Sequence, residues 1–266
     1  MESTLKPLPD AKSLTAREVL RAAWPLFQVS LPACLPLAIL GVAASGVPGA
    51  EAAAGGDAHG FAHNRDYWGL YAASVVLMLT CYSGVIRKQL AWARGERVGV
   101  IDALRQGLIG LPQTLGVLLL TLIAILVGGC LLVIPGLLAL VYTSFAWIAQ
   151  IDERLGPIAA IRRSIDLVRG RLLEVAAIIG VLAAAVVVFA LLTGILLGIV
   201  MMLAGPGADT DPTWLSFSRW LMAGLLSLPV VYIGAVTVMA WRVAIAPRTT
   251  AASTPQSPPP GPTSHS

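Results

Sequence analysis

The side chains with chemistry to offer are few and scattered. His59 and His63 stand four apart, a spacing that puts two imidazoles on one face of a helix, with Glu51, Asp57 or Asp66 in reach to complete a metal site. The surrounding Ala-Ala-Ala-Gly-Gly-Asp-Ala-His-Gly-Phe-Ala-His favours a flexible loop instead, and no glutamate lies between the histidines as metalloprotease chemistry requires. Neither a metal nor a cofactor is expected. A catalytic serine needs a base beside it, yet Ser74, Ser83, Ser144 and Ser227 fall in apolar stretches without histidine or lysine. Cys34, Cys81 and Cys130 form no pair motif and read as small buried apolar residues. Asp102, Asp152, Glu153, Asp166 and Glu174 flank apolar stretches where an interfacial acid or base could work, but they make no recognisable motif. The sequence predicts no enzyme.

Arginine does recur in a pattern. Leu20-Arg21, Leu104-Arg105 and Ile161-Arg162 are each followed two places after the arginine by a small residue (Ala23, Gly107, Ser164), then by a bulky apolar one (Trp24, Leu108, Ile165). A short amphipathic helix lying in a membrane interface explains such a unit: the arginine reaches the headgroups and the small residue admits a neighbouring helix. In the third copy Ile158, Ile161, Ile165, Val168 and Leu172 follow helical steps and predict one apolar stripe, with Arg162, Arg163, Asp166 and Arg169 off it. Arg21, Arg105, Arg162, Arg163, Arg169 and Arg171 are thus the candidate contacts for anionic lipid or a partner protein.

The elements that carry these units are set by where charge is missing. Of 266 residues, 57% are hydrophobic and 12% charged, whereas soluble domains carry about 25% charged residues. Mean hydropathy is +0.81. Nothing charged lies in 22–50, 67–86, 106–151, 175–208 or 220–241. About 20 apolar residues cross a bilayer core, and the long third run is divided at Pro135-Gly136, a pair suited to a hairpin tip. The expected fold is an all-α membrane protein with spans near 24–45, 67–86, 113–133, 136–151, 173–204 and 220–243. These spans form three hairpins, each preceded by an interfacial helix. The first run begins late and is long, so it reads as a retained span rather than a cleaved signal. Residues 1–13 are an expected flexible start, 14–246 the membrane domain, and 247–266 a disordered Pro/Ser/Thr-rich tail.

With six spans, sixteen of the 18 lysines and arginines share one side, leaving Arg65 and Arg219 on the other. The positive-inside rule makes that side, with both termini, cytoplasmic, and bulk nucleic-acid binding is not expected. No ionisable residue falls in a predicted span core, which disfavours ion-coupled transport. Pro25, Pro32, Pro36 and Pro229 are the places where a span could break. Gly194 and Gly198 form a close-contact helix face, expected to pack inside the bundle more than across a homo-oligomer.

The segment 134–171 combines Ile134-Pro135-Gly136, the aromatics Tyr142, Phe145 and Trp147, the acidic pair Asp152-Glu153, Gly156-Pro157, Arg163-Ser164 and Leu167-Val168-Arg169-Gly170-Arg171. It resembles the membrane domain of the glycerophosphoryl diester phosphodiesterase membrane-domain family and related six-span bacterial inner-membrane proteins. The resemblance implies a membrane role without the soluble catalytic domain. The expected function is non-enzymatic: membrane organisation, lipid interaction or assembly of a partner, with a carrier or channel for a small uncharged or zwitterionic solute as the alternative.

Overall fold

The computed structural model describes residues 15–54, 65–96, 98–204 and 212–246. His59, His63 and both predicted tails (1–13 and 247–266) lie outside them. The described residues hold helices and no strand. These are α1 (Ala16–Ala54), α2 (Arg65–Ala93), α3 (Val100–Ile109), α4 (Leu111–Leu131), α5 (Val133–Thr143), α6 (Ala146–Glu153), α7 (Pro157–Val168), α8 (Leu172–Ala204) and α9 (Pro212–Ile245). Among the described residues, six segments are long and apolar enough to cross a membrane: α1, α2, α4, α5 with α6, α8 and α9.

The bundle closes around small residues. Val19, Ala23, Leu26, Phe145, Ile148, Val236 and Trp241 belong to one buried cluster drawn from α1, α6 and α9 with the turn before α6. Close approach of helix backbones supplies dispersion contacts where burial from water does not drive association. A methyl on Gly107 of α3 would sit 2.8 Å from the Thr80 carbonyl oxygen of α2. One on Gly128 of α4 would sit 2.9 Å from the amide nitrogen of Gly136 in α5.

That last contact relocates a turn. The chain reverses at Leu132, whose extended backbone separates α4 from α5, and Pro135-Gly136 lie in the first turn of α5. Proline costs little there because first-turn amides lack helical partners, and Gly136 serves as the close-packing surface for Gly128 and Gly129.

The prolines at which a span could break do not interrupt their helices. α1 continues through Pro25, Pro32 and Pro36, and α9 through Pro229. The interruption falls instead in the fourth span, between Thr143 and Ala146. There the Ser164 hydroxyl of α7 donates to the Tyr142 carbonyl at 2.6 Å and accepts from the Phe145 amide at 3.1 Å. A serine from a neighbouring helix thereby takes up backbone groups that the break leaves without helical partners.

The repeated units show a common register. Val19, Ala103 and Ala160 are buried, Leu20, Leu104 and Ile161 half-buried, Arg21, Arg105 and Arg162 exposed, and Ala23, Gly107 and Ser164 buried. Two expectations need correction. The first unit is not a separate helix but the opening of α1, because no glycine turn interrupts it as Gly110 and Gly170 do the others. The buried stripe of α7 is Ala160, Ser164 and Val168, with Ile158 exposed. Small residues let α7 approach backbone to backbone, and the large aliphatics are turned to its flanks.

Gly194 and Gly198 meet nothing within 4 Å of a built Cβ, so their face is open rather than packed in the bundle. Val175 and Ile178 anchor the first half of α8, whereas Leu191, Ile195, Ile199 and Met202 are exposed beyond it. Gly107→Val is expected to lower stability by about 1–3 kcal/mol through overpacking, and Gly194→Val to change it by less than about 0.5 kcal/mol. Thermal unfolding of the purified chain in mild detergent checks both, and equal effects would contradict the packing described.

Candidate functional site

Polar side chains converge at one end of the bundle, where α2, α3, α4, α6, α7 and α9 meet. Asp152, in the last turn of α6, is the hub. One carboxylate oxygen pairs with the Arg94 guanidinium and the other accepts from the Trp241 indole N–H at 2.9 Å. The Asp152 side chain is 6% exposed and that of Arg94 53%. The pair therefore gains little as a surface ion pair, and its weight lies in satisfying a fully buried indole. Glu153 takes a different arginine, accepting from Arg163 Nε at 3.1 Å.

Arg154 follows directly and has neither acid. It closes α6 with φ of 53°, the left-handed region where glycine is the usual occupant. With Arg87 of α2 it lines a cavity of about 320 Å³ that also presents Gln106, Gln113 and Gln150. Arg87 Nη1 donates to Gln106 Oε1 at 3.2 Å, while its buried Nε has no partner. Buried Gln150 accepts from the Thr114 hydroxyl at 3.2 Å. Gly110 forms the floor: a methyl there would lie 3.0 Å from Arg87 Nη2 and 3.7 Å from Gln150 Nε2. Convergent, uncompensated donors of this kind suit an anion.

Of the sequence-predicted contacts, Arg21, Arg105, Arg162 and Arg169 are exposed. Arg163 is engaged by Glu153, and Arg171 Nη1 reaches the Val243 carbonyl at 3.5 Å. The structure does not gather these six residues into one site. Pro135 and Gly136 lie in the first turn of α5, where Gly136 packs on α4, and Gly194 and Gly198 face open space.

Sequence reasoning missed Arg87, Arg154, Gln106 and Gln150, because the first charges after an apolar run read as the end of a span. α2 runs on to Ala93. It carries Lys88 at 3% exposure, so a span does contain a buried lysine, with Cys34 and Ser30 of α1 also buried. Cys34 and Cys81 are buried as expected, but Cys130 is exposed. A second cavity, of about 290 Å³, adjoins the break in the fourth span and presents Tyr82, Ser144, Trp147 and Thr237. The Trp147 indole N–H is buried without a partner.

Asp152→Ala is expected to cost about 1–3 kcal/mol, since it strands the Trp241 donor. Arg94→Ala should cost under about 1 kcal/mol, because that side chain is half in solvent. Thermal unfolding of the two variants checks the order, and a larger loss for Arg94→Ala would contradict it.

Comparison with curated proteins found no match, nor did comparison with solved structures. A family model described as a domain of unknown function, DUF7847, matches residues 70–255, from the first turns of α2 to beyond α9. The chain belongs to the DUF7847 family.

Proposed function

We propose that this chain is a non-enzymatic, six-span protein of a bacterial inner membrane that associates with anionic lipid headgroups through its basic, cytoplasmic end. The observation that carries the reading is the common register of the three units. Each buries its small residue in the bundle and leaves its arginine exposed two places earlier, at Arg21, Arg105 and Arg162. Three helix segments held alike would present three cations toward one membrane surface, with Trp24, Leu108 and Ile158 exposed beside them to enter the apolar layer. A basic residue near an anionic surface contributes about 1 kcal/mol. Kinship with the glycerophosphoryl diester phosphodiesterase membrane domain is part of the same proposal. Its support is that segment 134–171 folds as one piece, with Ser164 and the Glu153–Arg163 pair tying α7 to α5 and α6.

A second reading, a carrier for a small uncharged solute, is favoured by the broken fourth span and the cavity beside it. The two readings separate in reconstituted vesicles. On the first, Arg21→Gln, Arg105→Gln and Arg162→Gln together reduce phosphatidylglycerol retained through detergent purification, by about fivefold in affinity per arginine, and glycerol swelling of the vesicles matches protein-free controls. Unchanged phosphatidylglycerol content would sink the lipid reading, and swelling abolished by Ser144→Leu would establish the second.

A further inference from the structure

We infer that the cavity between Arg87 and Arg154 is a binding site for a phosphoryl oxyanion. Arg87 and Arg154 line one cavity of about 320 Å³, and among the described residues neither has a carboxylate partner. The acids beside Arg154 in sequence are committed elsewhere, Asp152 to Arg94 and Trp241, Glu153 to Arg163. Like charges left facing a shared cavity repel, and a bound anion turns that repulsion into two charge-assisted contacts.

The hydrogen-bonding capacity fits the same ligand. The unpartnered Arg87 Nε is a buried donor. The Thr114 hydroxyl is shared between the Gly110 carbonyl and Gln150 Oε1, Gln150 Nε2 lies near the Gly110 floor, and Gln106 accepts from Arg87. Gln113 adds a third carboxamide. A tetrahedral oxyanion has several acceptor oxygens, which matches a cavity lined by two arginines and carboxamide groups that can turn an N–H toward it. Gly110 leaves the floor open beneath Arg87 Nη2 and Gln150 Nε2.

Backbone conformation at Arg154 points the same way. It is the non-glycine residue with positive φ among the described residues. Glycine would occupy that position without strain, so the side chain is kept where the backbone disfavours one.

The site uses none of the exposed arginines on which the lipid reading rests, and it stands or falls separately. The phosphoryl group could belong to a lipid headgroup or to a free anion, and two arms distinguish them. The full chain in neutral detergent is titrated with inorganic phosphate and, separately, with short-chain phosphatidylglycerol, thermal unfolding being read in both. Stabilisation by phosphate assigns a free anion, and stabilisation by phosphatidylglycerol alone assigns a headgroup. Arg87→Gln and Arg154→Gly are expected to weaken the stabilising ligand by about tenfold or more. Without anion, Arg154→Gly should unfold at the same or a higher temperature, because glycine relieves the left-handed backbone, which separates loss of binding from loss of fold. Arg163→Gln, outside the cavity, should respond as the parent does. The inference is overturned if the parent responds to neither probe, if both cavity variants respond as the parent does, or if Arg163→Gln loses the response equally.

Discussion

A helix broken among apolar neighbours leaves backbone donors and acceptors that water does not reach, and the hydroxyl of Ser164 answers that at the fourth span. It donates to Tyr142 and accepts from Phe145 where α5 ends and α6 begins. α6, which starts at that break, leads to the polar end of the bundle. α6 is short and ends with Gln150, Asp152 and Glu153 in close succession, each facing a different partner. Gln150 meets Thr114 of α4, Asp152 meets Arg94 beyond α2 and Trp241 of α9, and Glu153 meets Arg163 of α7. A single turn thus ties four other elements together and leaves Arg154 beside Arg87.

The rest of the bundle is organised by how near backbones can come. Glycines at 107, 128 and 136 each lie where a methyl would meet another helix at about 3 Å or less. Large aliphatic residues mostly point outward, the arrangement expected where the surroundings are as apolar as the side chains and packing rather than water exclusion holds helices together. The far half of α8 carries this furthest, with Met202 and Leu203 nearly fully exposed.

Much of this fold is legible in the sequence because uncharged runs of sufficient length leave few alternatives to spanning helices. Six such segments are present, and the short amphipathic units emerge with Arg21, Arg105 and Arg162 exposed and Ala23, Gly107 and Ser164 buried. Helix ends are less legible. Arg87 and Lys88 read as the end of a span, yet α2 continues past both to Ala93, with Arg87 half-buried and Lys88 buried inside the bundle. The break in the fourth span has no proline or glycine to announce it. It rests on a serine more than a dozen residues away, a tertiary contact that local pattern does not encode. The cavity is illegible for a similar reason: Arg87 and Arg154 are far apart in sequence, and only the turn after Gln150 brings them together.

In the proposed orientation the end of the bundle carrying Asp152, Arg154 and the exposed arginines lies on the cytoplasmic side. The most direct measurement is labelling of single cysteines by a membrane-impermeant maleimide in intact bacterial cells, with Cys34, Cys81 and Cys130 replaced. Glu96→Cys and Ala159→Cys, near that end, are expected to react only after permeabilisation, whereas Asp57→Cys and Asp209→Cys are expected to react in intact cells. Labelling of position 96 or 159 in intact cells would contradict the orientation, and with it the assignment of the basic end to the cytoplasmic surface.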